Sequence, residues 1–160
     1  MKTRTMATSG IIAALYIAVS LLIAPLAFSS IQFRISEMFN HLVVFDKKYF
    51  FGIIIGVFVV NLFSPLGVID LVFGVGMSVF ALLFTIISAK FIQGIIQRMV
   101  FNTIVFALFS FLIAIELNIV FGLPFLFGWL TVAAGEVVVM TIGIPIMLAL
   151  NKRLNFKEII

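Results

Sequence analysis

Four carboxylic acids and one guanidinium interrupt sequence that is otherwise almost wholly apolar. Arg34 and Glu37 stand three residues apart in "IQFRISEMFN", residues 31–40, and Asp70, Glu116 and Glu136 each break a long apolar run. Carboxylates accept hydrogen bonds and attract cations, and a guanidinium donates in a planar fork. Arg34 can neutralise only one of the four acids. If the five side chains share one cavity, that cavity is acidic and suits a cationic or donor-rich ligand. The simpler arrangement pairs Arg34 with one acid and leaves the others hydrated at an interface. Asn61, Asn118 and Gln32 fall at a similar level and can orient a ligand by hydrogen bonds. Phe121, Phe125, Phe127 and Trp129 cluster near the start of the last apolar run, where a planar ligand could stack or where an interfacial aromatic belt would sit.

The solvent around these groups decides what they cost. The chain has 160 residues, 64% hydrophobic and 10% charged, with a mean hydropathy of +1.38. A soluble domain is about 45–50% apolar and about 25% charged, so this composition implies a multi-pass membrane protein. The apolar runs are long and lack period-2 alternation, which argues for helices and against a barrel. An ionised residue at the bilayer centre costs roughly 2.5–3.5 kcal/mol on insertion scales. Four acids in four different runs are therefore expected to face one another and not lipid.

The breaks between apolar runs predict an all-α bundle of six transmembrane helices in one domain, over roughly 5–28, 34–45, 49–63, 67–91, 98–120 and 124–150. The second is short for a span and is expected to be tilted or to cross only in part. "SPLG", Ser64 to Gly67, reads as a turn, and Pro145 after Gly143 is expected to bend the last helix. With six spans, Lys2, Arg4, Lys47, Lys48, Lys90, Arg98, Lys152, Arg153 and Lys157 fall on one side and Arg34 alone on the other. The positive-inside rule makes the crowded side cytoplasmic, with both termini there. Asp46 and Glu158 then lie inside, and the other four acids lie in the outer half or near mid-membrane. Reading the first 25 or so residues as a cleaved signal peptide would spoil this charge pattern.

Gly10, Ala14 and Ala18 recur every four residues and leave one face of the first helix without bulk. Such a face lets helices approach closely in lipid. It can pack inside the protein or dock another membrane subunit; Gly52 and Gly56 repeat the theme in the third helix. Cysteine is absent, His41 is the single histidine and there is no GxxxxGK[ST]. Thiolate metal sites, a zinc cluster, a Cys–His pair and an ATPase of the chain's own are thereby excluded, and no nucleophile–base pair suggests an enzyme. His41 reads as a polar group within the second helix.

Two stretches, "IQFRISE" (31–37) and "NLFSPLGVIDLVFG" (61–74), with "GEVVVMTIGIPIMLAL" (135–150) near the end, resemble the QueT family. These are S components, the substrate-binding subunits of energy-coupling factor (ECF) transporters in the bacterial cell membrane, and the resemblance covers essentially the whole chain. It implies uptake of a queuosine precursor, a 7-deazaguanine such as 7-aminomethyl-7-deazaguanine (preQ1) or queuine. It also implies a transmembrane coupling subunit and two cytoplasmic ATPases as partners. No cofactor is expected, and the basic residues, nearly all in short breaks between apolar runs, do not suggest nucleic acid. The substrate-binding set is expected to be Arg34, Glu37, Asn61, Asp70, Glu116, Glu136 and Trp129, with Gly10, Ala14 and Ala18 docking the partner. One carboxylate would read the guanine-like edge and another the aminomethyl cation, with Arg34 at the ring carbonyl or steadying Glu37. Other readings of the residues are an S component for a different small, vitamin-like molecule, or a solitary proton- or cation-coupled carrier.

Overall fold

The computed structural model describes residues 3–23 and 34–160. Gln32 and the expected continuation of the first helix to about residue 28 lie outside the described residues. Those described form α1 (Thr3–Leu22), a 3-10 helix (Ile35–His41) running into the single turn α2 (Leu42–Phe45), α3 (Tyr49–Leu62), α4 (Val68–Ser88), α5 (Ile95–Phe109), α6 (Phe111–Phe121), α7 (Phe125–Leu154) and α8 (Phe156–Ile159). No strand occurs among them. Four rods are long and apolar enough to cross a membrane: α1, α4, the joined α5–α6 rod and α7. Two shorter apolar segments, Ile35–Phe45 and α3, complete the set. At 1.5 Å per residue the 14 residues of α3 span about 21 Å, less than the ~30 Å hydrocarbon core.

The rods are sorted for lipid. On α3, Phe51, Ile55, Phe58 and Leu62 are exposed at helical spacing, while Gly52, Ile53, Gly56, Val57, Val60 and Asn61 are buried. A soluble protein would not leave such an apolar stripe to water. Small residues set the closest approaches. A Cβ added at Gly52 would lie 2.8 Å from the Ser9 carbonyl oxygen, and one at Gly56 would lie 2.8 Å from Tyr16 Cβ. The glycines of α3 thus bring it against α1. The Gly10, Ala14 and Ala18 face of α1 points elsewhere: all three are exposed, and an added Cβ at Gly10 would meet nothing within 4 Å.

Turns are held by specific groups. The Gly67 N–H donates to the Ser64 carbonyl at 3.1 Å, closing the "SPLG" turn, and Gly67 takes φ +68°, which glycine adopts without strain. α6 ends at Gly122, φ +66°, where the Asn118 amide donates to the Leu123 carbonyl at 2.6 Å. Asn118 is therefore engaged in that turn. α5 and α6 meet at Ser110, whose hydroxyl turns back to the Ala107 carbonyl at 2.7 Å. Pro145 lies inside α7 without ending it. α8 folds back over the end of the bundle, its Phe156 carbonyl accepting from the Tyr49 hydroxyl at 2.8 Å and its Ile159 carbonyl from Thr8 at 3.1 Å.

Candidate functional site

A 3-10 helix repeats every three residues, so side chains at i and i+3 eclipse. In Ile35–His41 and the residue before it, this places Arg34, Glu37 and Asn40 in one row, and all three are buried. The row is pinned from behind by His41. Its Nε2 lies 2.9 Å from the Met140 carbonyl of α7 and its Nδ1 lies 3.2 Å from Asn102 Nδ2 of α5. A carbonyl only accepts and an amide NH₂ only donates, so Nε2 donates and Nδ1 accepts. Asn102 Oδ1 in turn accepts from Thr85 of α4 at 2.7 Å. His41, read from the sequence only as a polar group within the second helix, ties the 3-10 segment to α5 and α7. Gly143 lets α7 come close, since a Cβ there would lie 2.7 Å from Met38 Cβ.

Arg34 reaches out of the row to α4 and α3. Its Nη2 donates to both Asp70 oxygens at 3.3 Å, and its Nη1 donates to Asn61 Oδ1 at 3.4 Å. The Asn61 amide also donates to the Asp70 carbonyl at 3.1 Å. Gly74, one turn beyond Asp70, has no room for a side chain, because an added Cβ would run into the Asn61 amide and lie 3.0 Å from Asp70 Oδ1. Asn61, Asp70 and Gly74 thus make one unit, which accounts for the polar and small positions of 61–74 in physical terms.

Glu37 is held by two donors. The Tyr16 hydroxyl of α1 donates to Oε1 at 2.7 Å, and the Asn40 amide donates to Oε2. One step along, Ser20 of α1 meets Ser36 at 2.6 Å. Glu116 of α6 and Glu136 of α7 complete the cluster. Glu116 is wholly buried, and neither of its oxygens has a hydrogen-bond partner; Glu136 Oε2 and Asn40 Oδ1 are buried without one as well. Asp70, Glu37 and Glu136 lie near enough for their charges to act on Arg34, and Glu116 is within range of Asp70 and Arg34. The acids are nevertheless spread out: no group of three or more Asp, Glu or His close enough to hold a metal ion occurs among the described residues.

Of the residues expected at the site, Arg34, Glu37, Asn61, Asp70, Glu116 and Glu136 are brought into one charged cluster from the 3-10 segment, α3, α4, α6 and α7. Trp129 is placed differently: its indole N–H donates to the Ala107 carbonyl at 3.1 Å, and its ring lies 6.0 Å from Phe125. Phe121, Phe125 and Phe127 are exposed, as an interfacial belt would be. The sequence reading missed Tyr16 and Asn40. Tyr16 carries a weak signal, being one of only two tyrosines in the chain. A buried tyrosine hydroxyl needs a partner.

Comparison with known proteins places this chain in a transporter family. The QueT transporter family profile matches residues 6–152. The chain belongs to the QueT transporter family. It is 34% identical over 165 residues to the queuosine precursor transporter QueT of Lactococcus lactis subsp. cremoris (strain MG1363), with 98% of each chain covered. No solved structure matches. As a member of the QueT family, the chain is a multi-pass cell-membrane transporter and not an enzyme.

Proposed function

We propose that this chain is the substrate-capturing S component of an ECF-type importer for a queuosine precursor, a 7-deazaguanine taken from outside the cell. The relative from Lactococcus carries that substrate class in its name. One structural observation supports the reading most. Four buried acceptor atoms of the cluster have no hydrogen-bond partner: both oxygens of Glu116, Oε2 of Glu136 and Oδ1 of Asn40. Buried acceptors left without donors cost on the order of 1–3 kcal/mol each, more when charged. A ligand that supplies donors and positive charge would satisfy these acceptors. A guanine-like edge offers ring N–H and exocyclic NH₂ side by side, and an aminomethyl arm adds an ammonium.

In this reading the chain spans the membrane six times, with Ile35–Phe45 and α3 as short spans, both termini cytoplasmic and the acidic cluster opening outward. The exposed Gly10, Ala14 and Ala18 face of α1 docks a transmembrane coupling subunit, which two ATPases drive. Among the described residues, internal packing leaves that face exposed, which supports docking. The test is co-expression with an ECF coupling subunit and its two ATPases. Recovery of a four-part complex that imports labelled 7-aminomethyl-7-deazaguanine only with ATP is expected. Import by this chain alone in vesicles driven by an ion gradient would instead make it a solitary carrier.

A further inference from the structure

Resting on the deazaguanine reading, the geometry points to a division of labour among the carboxyls: Glu37 reads the neutral hydrogen-bonding edge of the ligand's ring, and Glu116 supplies the counter-charge to its cationic arm. Reading an edge requires a carboxylate fixed in direction, and Glu37 is fixed by neutral donors, whereas Asp70 is fixed by the Arg34 guanidinium. The Tyr16 hydroxyl holds one oxygen and the Asn40 amide the other. Tyr16 is itself immobilised, buried on α1 with Gly56 of α3 closed against its Cβ. Each carboxylate oxygen has two lone pairs, so one on each remains for a pair of ligand donors. Glu136 stands on this flank, its charge acting on Glu37 and Arg34.

Glu116 is the opposite case. It is 0% exposed and has no donor on either oxygen. The guanidinium nearest it is aimed at Asp70, with Nη2 at 3.3 Å from both Asp70 oxygens. The charged neighbours within range of Glu116 are Asp70, which repels it, and that same Arg34. Neutral N–H donors compensate a buried carboxylate only in part, whereas a full positive charge does so directly and with little demand on angle. The Asp70 carboxylate is already paired with Arg34, and Glu37 already has two donors. The ligand's cation gains most at Glu116.

The test titrates purified protein with two compounds that share the ring edge and differ in the arm, 7-aminomethyl-7-deazaguanine and 7-cyano-7-deazaguanine. Wild type is expected to bind the aminomethyl compound at least about tenfold more tightly. Glu116→Gln should remove that preference, weakening the aminomethyl compound about tenfold more than the cyano compound. Tyr16→Phe, which frees Glu37, should weaken both by the same factor and keep the preference. Glu116→Asp, with the charge on a shorter arm, should also keep it. A preference that survives Glu116→Gln, one that is lost in Glu116→Asp or Tyr16→Phe, or none in wild type overturns the assignment while the deazaguanine reading stands. Wild type that binds neither compound overturns the reading itself.

Discussion

A buried carboxylate is defined by the donors around it, and the four in this cluster differ. The Asp70 carboxylate receives a guanidinium, and the Asn61 amide binds the backbone carbonyl of the same residue. Glu37 receives a phenol and an amide. Glu116 receives nothing, and Glu136 has one shielded oxygen open. Removing a hydrogen-bonded charge partner from a buried contact commonly costs about 2–5 kcal/mol. Glu37→Gln and Glu136→Gln should each weaken deazaguanine binding by more than about tenfold, or ~1.4 kcal/mol. Asp46→Asn is the control, since Asp46 lies outside the cluster and its carboxylate accepts from the Lys48 backbone N–H at 2.9 Å. Equal small effects at all three positions in a binding titration would contradict a shared ligand site.

At the scale of elements, α1 has two faces that the sequence does not tell apart. Small residues occur on it and on α3, and spacing alone allows either set to pack inside. The structure separates them: Gly52 and Gly56 close on Ser9 and Tyr16, while Gly10, Ala14 and Ala18 stay exposed. Gly56→Ala must force α1 and α3 apart at the point where Tyr16 is held. Overpacking of this kind costs about 1–3 kcal/mol, so a lower unfolding temperature in detergent and weaker ligand binding are expected together. Gly10→Ala meets no neighbour, and alanine favours a helix over glycine by up to about 1 kcal/mol, so an unchanged or raised unfolding temperature is expected. The helical class and most of the rods were legible because apolar runs are interrupted by turn and charged residues. The 3-10 segment was not. Over seven residues a period of 3.0 and one of 3.6 both put Arg34 beside Glu37, and the choice is made by long-range contacts of His41 and Met38 with α5 and α7. The acids were visible as candidates because charge is rare in such runs. Tyr16 was hidden because an aromatic within an apolar run reads as core until its hydroxyl meets a partner from another element.

For the whole molecule, α1 is the one helix that both presents the exposed small-residue face and touches the 3-10 segment, through Tyr16–Glu37 and Ser20–Ser36. The proposed docking face and the proposed ligand contacts are therefore separable by mutation. Ala14→Trp places a large ring where a partner helix would need close approach. Loss of ATP-driven uptake and of co-purification with the ATPases is expected, with ligand binding by the isolated chain retained. The opposite pattern would move the docking surface elsewhere. The central claim is that this chain alone contains the ligand site, built from buried acceptors that await donors. Calorimetric titration of the purified chain, without nucleotide or partners, against 7-aminomethyl-7-deazaguanine, guanine, thiamin and riboflavin tests it most directly. Saturable one-to-one binding of the deazaguanine, tighter than guanine and with no heat from thiamin or riboflavin, is the predicted result. Binding that emerges only when the partners and ATP are added, or a response to a vitamin in place of the deazaguanine, would contradict it.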